Sequence, residues 1–376
     1  LPAWFGWAEV RKILGSCIGP AIKMKSSRNL WLDTLRGMAA LGVAFYHFDL
    51  QDAPTGNFFN ELTGYGRYGV EAFFFMSGFC IQAAAHRASG VAEFFWQRFW
   101  RIYPPFLFSL VVIFGAAVVR KLTVGANDAA QFPTTAADWL TTLAIMIKPA
   151  TPVKSLNWVY WALSYEVIFY LIVGLLMFTK KWRFPVLFLI TGLTFFQKLG
   201  HVPGLFFLRQ WSVFCLGIAF CEFTRGEKKK GIALMALSFL QVATGFAPVE
   251  TGIIFLTFIT VLISVYWPEG LLCRENLFTK LGRFSYSFYL LHVPIGIFMF
   301  VGAQEGLRVG PFPRSFLVYL ANAALCLAFA YAAFLLVEKP SMEMGKSFHR
   351  VNWWLEQKRK PSLKKTAVVI SEGMTQ

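Results

Sequence analysis

The stretch LWLDTLRGMAALGVAFYHFDL, Leu30–Leu50, decides the fold, because it has the length of a membrane-crossing helix and yet carries Asp33, Arg36 and His47. At about 1.5 Å rise and 3.6 residues per turn, Arg36 and His47 stand roughly 16 Å apart along the axis and share one face. That face carries Gly37, Ala40 and Ala44 between the two polar residues. Such small side chains predict a shallow groove that seats another helix or a long thin ligand. An arginine near a bilayer centre costs at least about 2.5 kcal/mol on insertion scales and normally faces a bundle interior or a wet cavity. The helix is therefore expected to be buried in a bundle with this face inward.

The chain around it has 376 residues, 56% hydrophobic and 15% charged, with 41 Phe, 13 Trp and 12 Tyr. This predicts an all-α, polytopic integral membrane helix bundle. The net charge of +16 raises nucleic acid as a partner, but the basic residues are scattered between apolar spans and form no stripe on a nucleic-acid module. Membrane lipid explains them better. Of the six cysteines, Cys80, Cys215, Cys221 and Cys326 lie in or at the ends of apolar spans, without metal-ligand or framework spacing. Neither a disulfide nor a metal is expected.

Apolar windows at roughly 30–50, 69–85, 102–119, 158–178, 184–197, 205–222, 232–247, 250–267, 284–303 and 315–337 predict about ten transmembrane helices. Alternating the loops from a cytosolic N-terminus puts 26 of the 36 Lys and Arg on the cytosolic side and 8 outside. The positive-inside rule then expects both termini in the cytosol. Residues 1–29 read as a cytosolic leader, with 1–23 an extension upstream of Met24. Residues 30–340 form the membrane unit, and 341–376 a basic, solvated cytosolic tail. The segment Asp138–Ile147 is too short to span and is expected to lie in the outer interface or to dip in and return.

Three further stretches carry ionisable groups in apolar surroundings. In EFFWQRFWRIYPP, Arg98 and Arg101 stand three apart beside Tyr103 at the start of the third helix. They read either as a guanidinium fork for phosphate oxygens or as a positive-inside anchor with interfacial aromatics. In NWVYWALSYEVIFYL, Ser164 and Glu166 lie in the outer half of the fourth span, and His47 is the partner type Glu166 calls for. LGRFSYSFYLLHVPI puts Arg283 at the start of the ninth span and His292 inside it, and LVEKP ends the tenth. There Pro340 reads as a helix stop. Glu338 is expected to pair with Arg101 or Arg283, and it and His292 read as structural.

In combination, DTLRGMAALGVAFYHF (33–48), GRYGVEAFFFMSGFCI (66–81), QRFWRIYP (97–104), NWVYWALSYEVIFYL (157–171), LGRFSYSFYLLHVPI (281–295) and VEKP (337–340) resemble the membrane-bound acyltransferase family 3, in that family's order. Its members O-acylate extracytoplasmic glycans. The resemblance implies an enzyme of the bacterial cytoplasmic membrane that moves an acyl group, most simply acetyl and alternatively succinyl, from cytosolic acyl-CoA as co-substrate to a sugar hydroxyl. No bound cofactor is implied, and glycan-synthesis machinery is an implied partner. His47 stands at the family's essential histidine and Arg36 at the arginine earlier in the same helix. Arg98 and Arg101, with Tyr103 beside them, stand where the acyl donor is held, and Glu166 matches the family's glutamate. Glu71 stands where aspartate is more usual.

On this reading His47 is the general base on the attacking hydroxyl, a role suited to imidazole. Glu166 orients it, Arg36 guides the donor, and Asp33, Ser164, Arg283, His292 and Glu338 support the site. A covalent acyl-histidine is the alternative route. Two rival readings use the same residues: a glycan or lipid-linked-sugar transporter, and a non-catalytic subunit of a polysaccharide synthase. Transporters often show paired repeats with matching broken spans, and the sequence has no such echo between its halves.

Overall fold

The computed structural model describes residues 29–49, 58–125, 132–179, 181–202, 204–266, 274–301 and 314–348. The leader to residue 28 and the tail beyond 348 lie outside them. Among the described residues the chain forms helices and no strand. In order these are α1 (Leu30–Asp49), α2 (Phe58–Gly64) with a 3-10 turn at Tyr65–Tyr68, α3 (Gly69–Arg87), α4 (Val91–Val124) and α5 (Ala136–Leu143). Then follow α6 (Trp161–Phe178), α7 (Arg183–Leu193), α8 (Leu208–Thr224), α9 (Lys228–Gly245) and α10 (Pro248–Tyr266). The last are α11 (Leu277–Arg283), α12 (Ser285–Val293), α13 (Arg314–Ala333) and α14 (Lys339–Lys346).

A helix falls on each of the ten apolar windows. Among the described residues, five stretches are long and apolar enough to cross a membrane: Glu61–Arg87, Val91–Leu122, Trp158–Phe178, Pro248–Tyr266 and Leu317–Lys346. The first helix, read from the sequence as a membrane-length span, is less apolar than these five. Asp33, Arg36 and His47 lower its hydropathy, and α1 is an inner helix whose Trp31, Ala40, Val43, Ala44 and Phe48 are buried. Helix α8 is more enclosed still, buried along nearly its whole length from Trp211 to Glu222, and its one buried carboxylate, Glu222, is paired with His86 and Arg183. The outer helices instead turn large apolar side chains away from the protein, among them Val111, Phe114 and Leu122 on α4, Leu256 and Ile263 on α10, and Phe329 on α13. Lipid is the solvent that suits such a surface.

Glycine sets how close the inner helices come. A Cβ on Gly78 of α3 would fall 1.9 Å from the Phe214 carbonyl oxygen of α8, and one on Gly217 of α8 would fall 2.0 Å from that of Phe75. The two backbones touch, as small residues allow in membrane bundles, and Phe169 of α6 stacks on Phe214 at 4.0 Å. Helices α1 and α11 repeat the device: a Cβ on Gly37 would meet the Phe278 oxygen at 2.1 Å, and one on Gly282 would meet the Asp33 oxygen at 1.8 Å. The Asn276 side chain caps α11 in a capping box with Thr279, and Thr34 and Thr279 hydroxyls bond at 2.9 Å. So at Gly37 the small-residue face of α1 seats a helix.

Helix α4 begins at Val91, two turns before Arg98, so both arginines sit within a helix and not in a loop. Its 34 residues make it about 51 Å long, well beyond a hydrocarbon core of about 30 Å. Pro340 does not stop the last span. Residues Phe334–Glu338 widen into a π-helix and Pro340 falls in the first turn of α14, where its missing N–H is not needed. Helix α14 then packs along α4, with Trp96 Nε1 donating to the Met344 oxygen at 3.2 Å, so this part of the expected solvated tail belongs to the bundle. After α5, capped by Thr135 and Asp138, the chain turns inward and buries Ile145 and Ile147. The Ser164 hydroxyl holds the Ile145 oxygen at 2.8 Å.

Candidate active site

In SYSFYLLH, Tyr286, Tyr289 and His292 are spaced by three and share one side of α12. Pro294 has no N–H to give the Leu290 carbonyl, and Asn157 Nδ2 fills that place at 3.1 Å. The helix continues from Pro294 as a π-helix, and this break fixes where His292 points. His292 Nδ1 lies 3.2 Å from the Phe288 carbonyl oxygen. An oxygen of that kind only accepts, so Nδ1 carries the proton and Nε2 is an acceptor. His47 Nδ1 lies 2.9 Å from that Nε2 and donates to it. The remaining nitrogen of His47, Nε2, is left with a free lone pair.

The two imidazoles stack at 5.1 Å, and Trp158 meets the His47 ring edge-on at 6.2 Å. His292 is buried, whereas His47 lines a cavity of about 350 Å³ with Tyr46, Arg67, Glu71, Trp158 and Glu250. A second cavity, of about 90 Å³, lies toward the other end of α1 and is lined by Arg36, Ser77, Arg101, Glu166 and Tyr286 among others. Val70 and Tyr289 line both cavities. Tyr289 is fixed there by its hydroxyl, which donates to the Val159 oxygen at 2.6 Å.

A polar cluster surrounds the smaller cavity. Arg36 donates to Cys80 Sγ at 3.3 Å, lies within electrostatic reach of the Asp33 and Glu166 carboxylates, and shares the cavity lining with Glu166. Tyr170 donates its hydroxyl to Glu166 Oε1 at 2.7 Å, and the Arg98 guanidinium lies over the Tyr170 ring at 5.6 Å. Arg101 reaches Glu338 Oε1 at 3.4 Å. The other oxygen of Glu338 accepts from the backbone N–H and the hydroxyl of Ser287, at 3.1 and 2.6 Å.

Residues 29–331 match the acyltransferase family Acyl_transf_3, described as an acyltransferase domain. The chain belongs to this acyltransferase family. It is also similar to the acyltransferase MdmB of Streptomyces mycarofaciens, 32% identical over 148 residues, a match that covers 37% of this chain and 37% of that protein. No solved structure matches. With its helices of crossing length, the chain is an integral membrane protein of the acyltransferase family.

The acyltransferase fold brings some of the sequence-selected residues together and separates others. Arg36, Arg101 and Glu166 share one cavity. Arg98 stands one layer out, behind Tyr170, so the two α4 arginines do not form a simple fork. The expected pairing of Glu166 with His47 is corrected: Glu166 is satisfied by Tyr170, one turn along its own helix, and His292 is the residue that holds His47. His292, read as structural from the sequence, is therefore part of the site's geometry. Ser164 anchors the turn at Ile145, Arg283 pairs with Glu275, and Tyr103 stacks on Phe99 at 5.0 Å away from the cavity lining. Ser77, Tyr286, Tyr289 and Arg67 were not singled out by sequence reasoning. For the two tyrosines the three-residue spacing with His292 was the available signal.

Proposed function

We propose that this acyltransferase moves an acyl group, most simply acetyl, from acyl-CoA on the cytosolic side to a hydroxyl of a glycan on the other side. The observation that carries the reading is the shared wall: the cavity of Arg36, Arg101 and Glu166 and the cavity of His47 meet at Val70 and Tyr289. Arg101, together with Arg98 behind Tyr170, holds the phosphates of the donor. At about 90 Å³ the smaller cavity has room for a thin chain and none for a nucleotide. The pantetheine arm then carries its thioester past Val70 and Tyr289 to His47 while the nucleotide stays at the arginines. This route crosses α3 and α12 and not the small-residue face of α1.

At His47 the chemistry is general-base acyl transfer. Nε2 takes the proton of the acceptor hydroxyl as its oxygen attacks the thioester carbonyl. His292 accepts from Nδ1–H and keeps the ring in the tautomer that leaves Nε2 free. The tetrahedral intermediate collapses with cleavage of the C–S bond, and the protonated His47 returns its proton to the leaving thiolate. The products are the ester and free CoA. Arg67, in the same cavity, is the cation nearest to hand for the developing oxyanion.

The donor half of this reading is tested by Arg101→Ala and Arg98→Ala in purified protein reconstituted in liposomes. Arg101→Ala is expected to raise the KM for acyl-CoA about tenfold or more, and Arg98→Ala less, because Arg98 stands farther from the cavity. Lower turnover with an unchanged donor KM would assign both arginines to packing alone.

A further inference from the structure

The 3-10 turn Trp158–Tyr160 and the end of α12 are tied together beside His47 by two hydrogen bonds that run in opposite directions. Asn157 Nδ2 donates to the Leu290 carbonyl at 3.1 Å, and the Tyr289 hydroxyl donates to the Val159 carbonyl at 2.6 Å. The other polar atom of the Asn157 side chain, Oδ1, accepts from the Val159 N–H at 3.3 Å and caps the turn. A carbonyl only accepts and an N–H only donates, so this amide has one orientation that satisfies both partners. Asn157 and Tyr160 are wholly buried, and the Tyr160 hydroxyl shares a hydrogen bond of 2.7 Å with Ser109 of α4. The turn is thereby pinned to α4 through Tyr160 and to α12 through Asn157.

The two segments that Asn157 joins carry the two rings that meet His47. Trp158, the next residue in the turn, meets the His47 ring edge-on at 6.2 Å. His292, two residues past Leu290, takes the hydrogen bond of His47 Nδ1 at 2.9 Å. His47 serves as a base only with its proton on Nδ1 and the lone pair on Nε2. Which nitrogen of a neutral imidazole holds the proton is set by the hydrogen bond that the ring makes, so His292 has to stay within reach. Pro294 explains why the Leu290 carbonyl lacks a donor from its own helix. The site explains why the donor comes from the turn that carries Trp158.

We infer that Asn157 is a positioning residue for the transfer step: by tying the Trp158 turn to Leu290 it sets where Trp158 and His292 stand around His47, and so holds the base in its active tautomer without touching substrate. The inference rests on the reading of His47 as the base that activates a hydroxyl.

The test uses the full chain in liposomes with three variants: Asn157→Ala, Pro294→Ala, and the two combined. Misplacing a catalytic group by about 1 Å can cost roughly 10²-fold. Asn157→Ala is accordingly expected to lower kcat about tenfold or more, while the KM for acyl-CoA stays within twofold of wild type. Pro294→Ala returns a backbone N–H that can serve the Leu290 carbonyl and leaves the tie to the turn missing when Asn157 is also gone. The combined variant is therefore expected to regain most of the Tm lost in Asn157→Ala and none of the kcat, with Pro294→Ala alone as its reference. A kcat that recovers together with Tm would make Asn157 a structural donor only and overturns the inference. A second readout needs no catalysis. In protein labelled with nitrogen-15 histidine, at alkaline pH where imidazoles are neutral, solid-state NMR is expected to show the His47 proton on Nδ1 in wild type and mainly on Nε2 in Asn157→Ala. The His47 signal is assigned by its loss in His47→Ala. An Asn157→Ala spectrum in which His47 keeps the wild-type tautomer overturns the inference whatever the rate. Transfer that survives His47→Ala sinks the reading of the base, and the spectrum then judges the hold of Asn157 on that ring by itself.

Discussion

His47→Ala is expected to lower acyl transfer at least about a hundredfold while expression and folding stay intact. Positioned general bases typically contribute roughly 10²–10⁴-fold, and His47 is the imidazole whose free nitrogen faces the cavity. The substitution is structurally mild. His47 is half-buried at a cavity wall, and the group it abandons, His292 Nε2, gains space that water can enter. Release of CoA thiol by the purified variant is the measurement, and more than a tenth of the wild-type rate would remove His47 from the chemistry. His292→Ala is expected to cost less, since it takes away the group that holds the base and not the base. A wild-type rate in His292→Ala would show that the hydrogen bond between the imidazoles does not set the tautomer.

Glu338→Ala is expected to be the most damaging change to the fold. The carboxylate is fully buried, holds the backbone N–H and hydroxyl of Ser287, and faces Arg101. Truncation leaves the donors of Ser287 without a partner and Arg101 without its counterion. Breaking a buried pair costs about 3–5 kcal/mol, and since the Arg101 side chain is 28% exposed the lower end of that range applies. Glu338→Gln keeps an acceptor for Ser287 and loses the charge, so it should cost less. Chemical unfolding in detergent ranks the two, and an unchanged midpoint for Glu338→Ala would mean that α12 and α13 are held by apolar packing alone.

The helices were legible because hydrophobic windows of membrane length have few alternatives. Each window received a helix, and α4 and α14 only extended past the apolar limits, since helical hydrogen bonding does not stop where hydropathy does. That Glu338 needs a cation was also legible, because a carboxylate at that helix end calls for one, but the sequence left Arg101 and Arg283 open, and it is Arg101 that pairs with it. The holder of His47 was not. A glutamate inside an apolar helix looked like the partner in need, but Tyr170 lies four residues on and satisfies it locally. His292 sits between phenylalanine, tyrosine and leucine neighbours that look like core, and only the break at Pro294 aims it at α1. The small-residue face of α1 misled for a related reason. Composition says that something approaches closely at Gly37, and it took Gly282 on the opposing helix to make that neighbour a backbone.

The proposed path takes the thioester between two adjacent cavities, across their shared wall at Val70 and Tyr289, while nucleotide and acceptor stay on opposite sides. It is tested most directly in vesicles with the protein in one orientation, with labelled acetyl-CoA supplied only on the side of Arg98 and Arg101 and a glycan acceptor sealed on the side of His47. The account predicts labelled ester on the enclosed glycan, and none when the donor is supplied on the His47 side. Efficient transfer with donor and acceptor both on the arginine side, and none across the membrane, would contradict it.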